Sequence, residues 1–174
     1  KVSAYALGSG LGMSRLAPCT GRGSMGKLFA FLEGIPGGGE APIEQGIESF
    51  LRQHRGRGVA IVLSDFLTAG DLKRAFNLIH SSGLELFAVQ LLGPSELDPP
   101  LTGDLRLIDC ENHADLDVSS AGDLLALYHE YRAAHEAQLS ALCQQRSGRF
   151  LSISSAEPAE RVLFEVMRRK GWIL

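Results

Sequence analysis

Apolar positions in this chain recur with a period near two in some stretches, in unbroken runs in others, and with a period near 3.6 elsewhere. These switches mark the elements. VSAYALG (2–8) alternates small and apolar residues and predicts a strand. After a GSGLG turn, MSRLAPC (13–19) alternates too, with Met13, Arg15 and Ala17 on one side and Ser14 and Leu16 on the other. Two mixed faces behind a tight turn predict an antiparallel partner at a sheet edge. Pro18 fits an edge, because it has no amide to donate to a ladder. SMGKLFAFLEGI follows, with Leu28, Phe31 and Leu32 at helical spacing and Ser24 placed to cap; PGGG (36–39) stops it. APIEQGIESFLRQH puts Ile43, Ile47, Phe50 and Leu51 on one stripe, the mark of a helix packed on something flat.

GVAIVLSDF (58–66) is a continuous apolar run, which predicts a central parallel strand covered on both faces. AGDLKRAFNLIHSSG reads as an amphipathic helix ending at Gly83, and LELFAVQLL as a second buried strand. GPSELDPPLTG is a Pro-rich loop, and DLRLIDCENHADLDVS predicts a hairpin or bent strand around CENH. The longest helix spans about 121–145, with Leu124, Tyr128, Tyr131, His135, Leu139 and Leu142 three or four apart. The tyrosines on that stripe predict packing between helix and sheet. RFLSISS is a last strand, and PAERVLFEVMRRKG a closing helix with Pro158 near its first turn. Strands alternating with amphipathic helices predict an α/β fold: a three-layer, Rossmann-like sandwich, mostly parallel, with an antiparallel edge strand. In such sheets ligands bind beyond the carboxyl ends of the strands. Those ends carry Ser64 and Asp65, then Gly93, then Ser154 and Ser155.

Composition narrows the function. The 174 residues suit one domain, 45% are hydrophobic and 21% charged, and the net charge is -3. Nucleic acid is not expected as a partner, since phosphate backbones attract clustered positive charge. The basic runs RQHRGR and MRRKGW read as solvated helix ends. Cys19, Cys110 and Cys143 form no C-x-x-C and read as reduced thiols that fill space. No apolar run approaches the ~20 residues of a membrane span, so no membrane contact is expected of this segment and a cytoplasmic location is. The chain opens on Lys1 directly before a strand, which points to a longer protein.

Gly21 to Lys27, G-R-G-S-M-G-K, spells the P-loop pattern G-x-x-x-x-G-K. A P-loop also needs a buried parallel strand in front and a hydroxyl after the lysine to hold Mg²⁺. The preceding strand is half polar and contains Pro18, and Leu28 follows Lys27. With 20 glycines in the chain the pattern arises easily by chance, and a turn that caps a surface helix explains it. A nucleotide binder stays the alternative reading.

GVAIVLSDFL followed by a helix resembles the strand, Ser-Asp, helix unit of von Willebrand factor A-like domains. More narrowly, the chain looks like the C-terminal part of a bacterial family of unknown function whose members often accompany MoxR-type AAA+ ATPases. The segments that carry this are GGGEAPIEQGIESFLRQHRGRGVAIVLSDFLTAGDL, LELFAVQLLGPSELDPPLTGDLRLIDCEN and YHEYRAAHEAQLSALCQQRSGRFLSISSAEP. The resemblance implies one von Willebrand A-like domain over 1–174, incomplete at its N-terminus, with its central first strand before Lys1. It also implies a metal-ion-dependent adhesion site: Asp-x-Ser-x-Ser on the first strand, a Thr on a Gly-rich loop, and an Asp after the fourth strand. Mg²⁺ suits such oxygen ligands. Here no D-x-S-x-S occurs, Gly39 stands in the Thr position with Glu40 after it, and Asp65 matches the later Asp with Ser64 before it. The metal reading of Asp65 competes with an Asp that caps the helix starting near Thr68.

Other chemistry is absent from the pattern. The five histidines lack metal spacing, with His129 and His135 six apart. Glu111 to Asp117 lacks the Gly and closing Glu of a calcium loop. No G-x-S-x-G elbow occurs. The expectation is a non-enzymatic protein-interaction domain without a cofactor, with an AAA+ ATPase as the implied partner. Its adhesion site is degenerate here, and Mg²⁺ is left open for the full-length protein. A metal-dependent hydrolase built on Asp65 ranks last.

Overall fold

In a computed structural model, which describes residues 1–7, 13–36, 42–54, 56–68, 70–100, 103–108, 115–118 and 121–173, the two alternating segments form the antiparallel pair their pattern predicts. Strand β1 (Val2–Ala6) runs against β2 (Ser14–Cys19), with Tyr5 opposite Arg15 and Ala6 opposite Ser14. The chain divides into two compact units. The first holds the described residues of Lys1–Gly58 and Thr68–Leu84; the second holds those of Val59–Leu67, Glu85–Ile108 and 115–173.

In the first unit, α1 (Met25–Glu33) follows a 3-10 turn over Arg22–Ser24. Ser24 precedes α1 but does not cap it: its backbone is already helical, and its hydroxyl donates to the Thr20 carbonyl at 2.9 Å. Helix α1 leaves Met25, Phe29 and Leu32 exposed. Helix α2 (Ile43–Gln53) buries Ile43 and Ile47, two of its four predicted stripe residues. It packs on α3 (Leu72–Ser81): the Asp71 amide donates to Glu44 Oε2 at 3.0 Å, and Arg74 pairs with Glu48. Helix α3 begins later than expected. Its cap is Asp71, whose Oδ1 accepts the Arg74 amide at 2.9 Å, satisfying one of the free donors of the first turn. Beyond its end Gly83 takes φ 80°, a left-handed conformation open to glycine without steric cost.

In the second unit, apart from the first residue of each of the first two strands, β3 (Gly58–Ser64), β4 (Leu84–Leu92) and β7 (Arg149–Ser154) make a parallel sheet in the order β3-β4-β7. This is the α/β, Rossmann-like class that the pattern predicts. The two apolar runs fare differently. β4 is central, and Leu86, Ala88, Gln90 and Leu92 on one face and Phe87 and Val89 on the other are all buried. β3 lies at the sheet's edge instead of its centre, and Val59, Ile61 and Leu63 are 50%, 62% and 63% exposed. An apolar run marks a strand that can tolerate burial on both faces; it does not say which strands flank it.

The Pro-rich loop contains one helical turn, α4 (Pro94–Leu97). The predicted hairpin forms as β5 (Leu105–Ile108) against β6 (Asp115–Val118), with Arg106 paired to Asp115 at 2.7 Å; its CENH tip lies outside the described residues. Helix α5 (Ala121–Gln144) packs on β7 and fully buries Leu139 and Cys143. The tyrosines do not show the expected packing between helix and sheet. The Tyr128 hydroxyl donates to the Glu96 carbonyl, whereas Tyr131 is 69% exposed. After β7, α6 (Ala159–Arg161) runs into a π-helical turn over Val162–Met167, and the Trp172 ring meets Phe87 edge-on at 4.8 Å.

Candidate functional site

The carboxyl end of β3 carries Ser64, Asp65, Phe66 and Leu67, and three features define it. The first is local. The Phe66 amide donates to Ser64 Oγ at 3.0 Å and the Leu67 amide to Asp65 Oδ1 at 3.1 Å, so two short polar side chains close successive turns on their own backbone. Asp65 therefore shapes the turn after β3 and does not cap α3. The second is strain. Phe66 has φ 57° while its ring is fully buried, a left-handed conformation that costs a non-glycine residue about 1–2 kcal/mol. The third is support from other elements. Gln90 Nε2, from central strand β4, donates to the Asp65 carbonyl at 2.8 Å. His135 Nε2, from α5, lies 3.2 Å from the Phe66 carbonyl, a hydrogen bond in the tautomer with the proton on Nε2. Gln90 is 1% exposed, and its Oε1 has no partner among the described residues. The Asp65 carboxylate is exposed above this support.

The neighbouring strand ends lie alongside, as parallel pairing requires. Leu92 is in register with Ser154, and the Ser155 amide donates to the Leu92 carbonyl at 2.8 Å. Ser154 Oγ accepts the Ala156 amide at 3.2 Å. Ser64 and Asp65 thus lie at the carboxyl end of a parallel strand, where the sequence puts them, and they are joined there by Gln90 and His135, which the sequence pattern does not mark as site residues.

A magnesium ion wants about six oxygens in octahedral array. The described residues here offer one carboxylate and one hydroxyl, with Asp65 Oδ1 and Ser64 Oγ already engaged by the turn and 3.4 Å apart. They do not fit the ion by themselves. Among the described residues no three His, Cys, Asp or Glu side chains gather into a metal-holding group. Gly39 and Glu40 lie outside the described residues, as does Cys110. Burial pushes the Cys143 thiol up to about 12 against a smaller downward pull from Arg146, so it stays a neutral core filler.

Gly21 to Lys27 falls where β2 hands over to α1, and β2 is antiparallel to β1. The parallel strand that would aim a phosphate loop is not the one in front of it. No helix among the described residues is long and apolar enough to cross a membrane.

The chain is 27% identical over 170 residues to an uncharacterized protein of Mycobacterium tuberculosis (strain ATCC 25618 / H37Rv) and, at the same identity, to one of Mycobacterium bovis. Each match covers 95% of this chain and 53% of the relative, so the chain spans about half the length of these relatives. Among solved structures it is similar to an aerotolerance-related membrane protein of Bacteroides fragilis, with a TM-score of 0.54 at 14% identity over 96% of this chain and 78% of that one. That likeness concerns the fold. The family described as "Protein of unknown function DUF58" matches residues 6–138, well over half of the chain, and the chain belongs to that family.

Proposed function

We propose that this chain is a von Willebrand A-like binding domain and not an enzyme, working in the cytoplasm without a cofactor of its own. It engages a protein partner through the turn Ser64–Leu67, and Asp65 makes the central polar contact. The partner class is an AAA+ ATPase of the MoxR type, which rests on the resemblance of the sequence segments given above. One observation carries the choice of site: an exposed carboxylate sits on a strained turn that buried Gln90 and half-buried His135 hold from two other elements. Backbone strain persists where the surroundings over-determine it, and it clusters at binding and switch sites. A carboxylate held in advance loses little freedom on binding, which favours affinity.

The test is a pull-down of the MoxR-type ATPase encoded in the same genome, comparing wild type with Asp65→Ala. Wild type should retain the ATPase, and the variant should bind about 5–100-fold more weakly, the range for a charged contact near the centre of an interface. Equal capture by both proteins would remove Asp65 from the interface, and no capture by either would remove the ATPase.

A further inference from the structure

After β7 the chain runs as one continuous helical stretch over residues 159–169, made of α6, the π-helical turn and the two residues after it. One side of this stretch faces inward, with Val162 buried and Val166 half-buried. The outward side is apolar at its middle: Phe164 is 65% exposed and Leu163 beside it 42%. Exposed charges of opposite sign flank that centre. Glu160 lies four residues before Phe164 and Arg168 four residues after it, each about one helical turn away. Arg169 and Lys170 follow and are exposed too. Among the described residues neither Glu160 nor any of these three cations has an ion-pair partner, whereas the neighbouring Arg161 pairs with Glu157 and Glu165.

We infer that this face is a self-association surface, and that its partner is the same face of a second copy of the chain, packed antiparallel about a two-fold axis beside Phe164. A two-fold contact sets one residue against a second and the second against the first, so it needs a surface complementary to itself. Glu160 and Arg168 meet that need, because they stand equally far along the chain on either side of Phe164. Turning one copy by half a revolution brings Glu160 of each protomer opposite Arg168 of the other, and lays the Leu163 and Phe164 side chains of the two copies together. The order of the charges selects this occupant. An anionic bilayer would attract the three cations but repel Glu160, whereas a second copy uses both signs. One pair of short helices buries less than the ~1,200 Å² of a standard stable interface, so the pairing is weak and set by concentration. It rests on no role for Asp65.

Sedimentation of the protein over a range of concentrations, with charge reversals at both ends of the face, tests it. Wild type should pass from monomer to dimer between about 10 and 1,000 µM, the regime of small interfaces. Glu160→Arg and Arg168→Glu each set like charges opposite one another twice per dimer, and each should weaken association at least ~10-fold. The double variant exchanges the two signs and should dimerise like wild type. An equimolar mixture of the two single variants should dimerise as well, because at these positions one carries only cations and the other only anions. A protein that stays monomeric throughout the range would overturn the proposal. So would a dimer that the single reversals leave unchanged, or a loss that the double variant does not restore, since either result places the contact elsewhere.

Discussion

Phe66 sets two opposing terms against each other. Its φ of 57° is strained, yet its ring is fully enclosed. Relief of left-handed strain is worth about 1–2 kcal/mol. Truncating a buried phenylalanine costs about 3–5 kcal/mol, and glycine adds up to about 1 kcal/mol of backbone entropy. The ring wins, so Phe66→Gly is expected to destabilise the protein by about 2–4 kcal/mol, although glycine is the residue such a φ favours. Thermal unfolding should fall by roughly 4–16 °C for a chain of this size; a rise would mean that the strain outweighs the packing. The same turn shows what could be read in advance. Ser-Asp at the end of an apolar strand is visible in sequence, because both residues act on their immediate neighbours. Gln90 was readable too, as the only polar residue inside FAVQLL, since an amide in a buried strand needs a partner. His135 was not, because its place on the α5 stripe looks like that of the leucines, and only the crossing of α5 brings it to the Phe66 carbonyl.

At the scale of elements, order and type were legible, and neighbours were not. Period and punctuation placed the hairpin β5–β6 and helix α5 to within a residue or two. The runs 59–63 and 84–92 look alike in hydropathy, yet one is an edge strand and the other the centre of the sheet. Pairing is a long-range choice that local pattern does not encode. The joint between α5 and β7 shows how tightly a successful pairing closes. Arg146 Nη1 donates to the Leu142 carbonyl at 2.6 Å near the end of the helix, Ser147 turns with φ 54°, and the Gly148 amide donates to the Cys143 carbonyl at 2.8 Å. A Cβ on Gly148 would stand 2.8 Å from the Leu86 carbonyl oxygen and 3.1 Å from that of Cys143. Both obstacles are backbone, so neither can rotate away. Gly148→Ala should therefore cost about 1–3 kcal/mol, like other overpacked sites, and lower the unfolding temperature by roughly 2–10 °C. An unchanged transition would mean that helix and strand slide apart more freely than their packing implies.

For the molecule as a whole, the remaining choice lies between a surface that binds a protein and a loop that binds a nucleotide, and magnitudes separate the two. A ligand present at a hundred times its dissociation constant stabilises the folded state by about 2.7 kcal/mol, or roughly 5–11 °C in a chain of this length. Gly21 to Lys27 has the glycines and the lysine of a phosphate cradle, but it follows an antiparallel strand, and Leu28 stands where the pattern needs a hydroxyl for Mg²⁺. The binding surface proposed at Asp65 instead needs area and a fixed turn, which a small anion neither supplies nor requires. Millimolar Mg·ATP is accordingly expected to leave the unfolding temperature within about 1 °C of the free protein, and Lys27→Ala to make no difference to that result. A shift of several degrees in wild type that vanishes in Lys27→Ala would move the function from the carboxyl end of β3 to the start of α1. That outcome would replace the account of what the protein binds, while the burial of Phe66 and the hold of Gln90 on the Asp65 carbonyl would still explain how the turn after β3 is built.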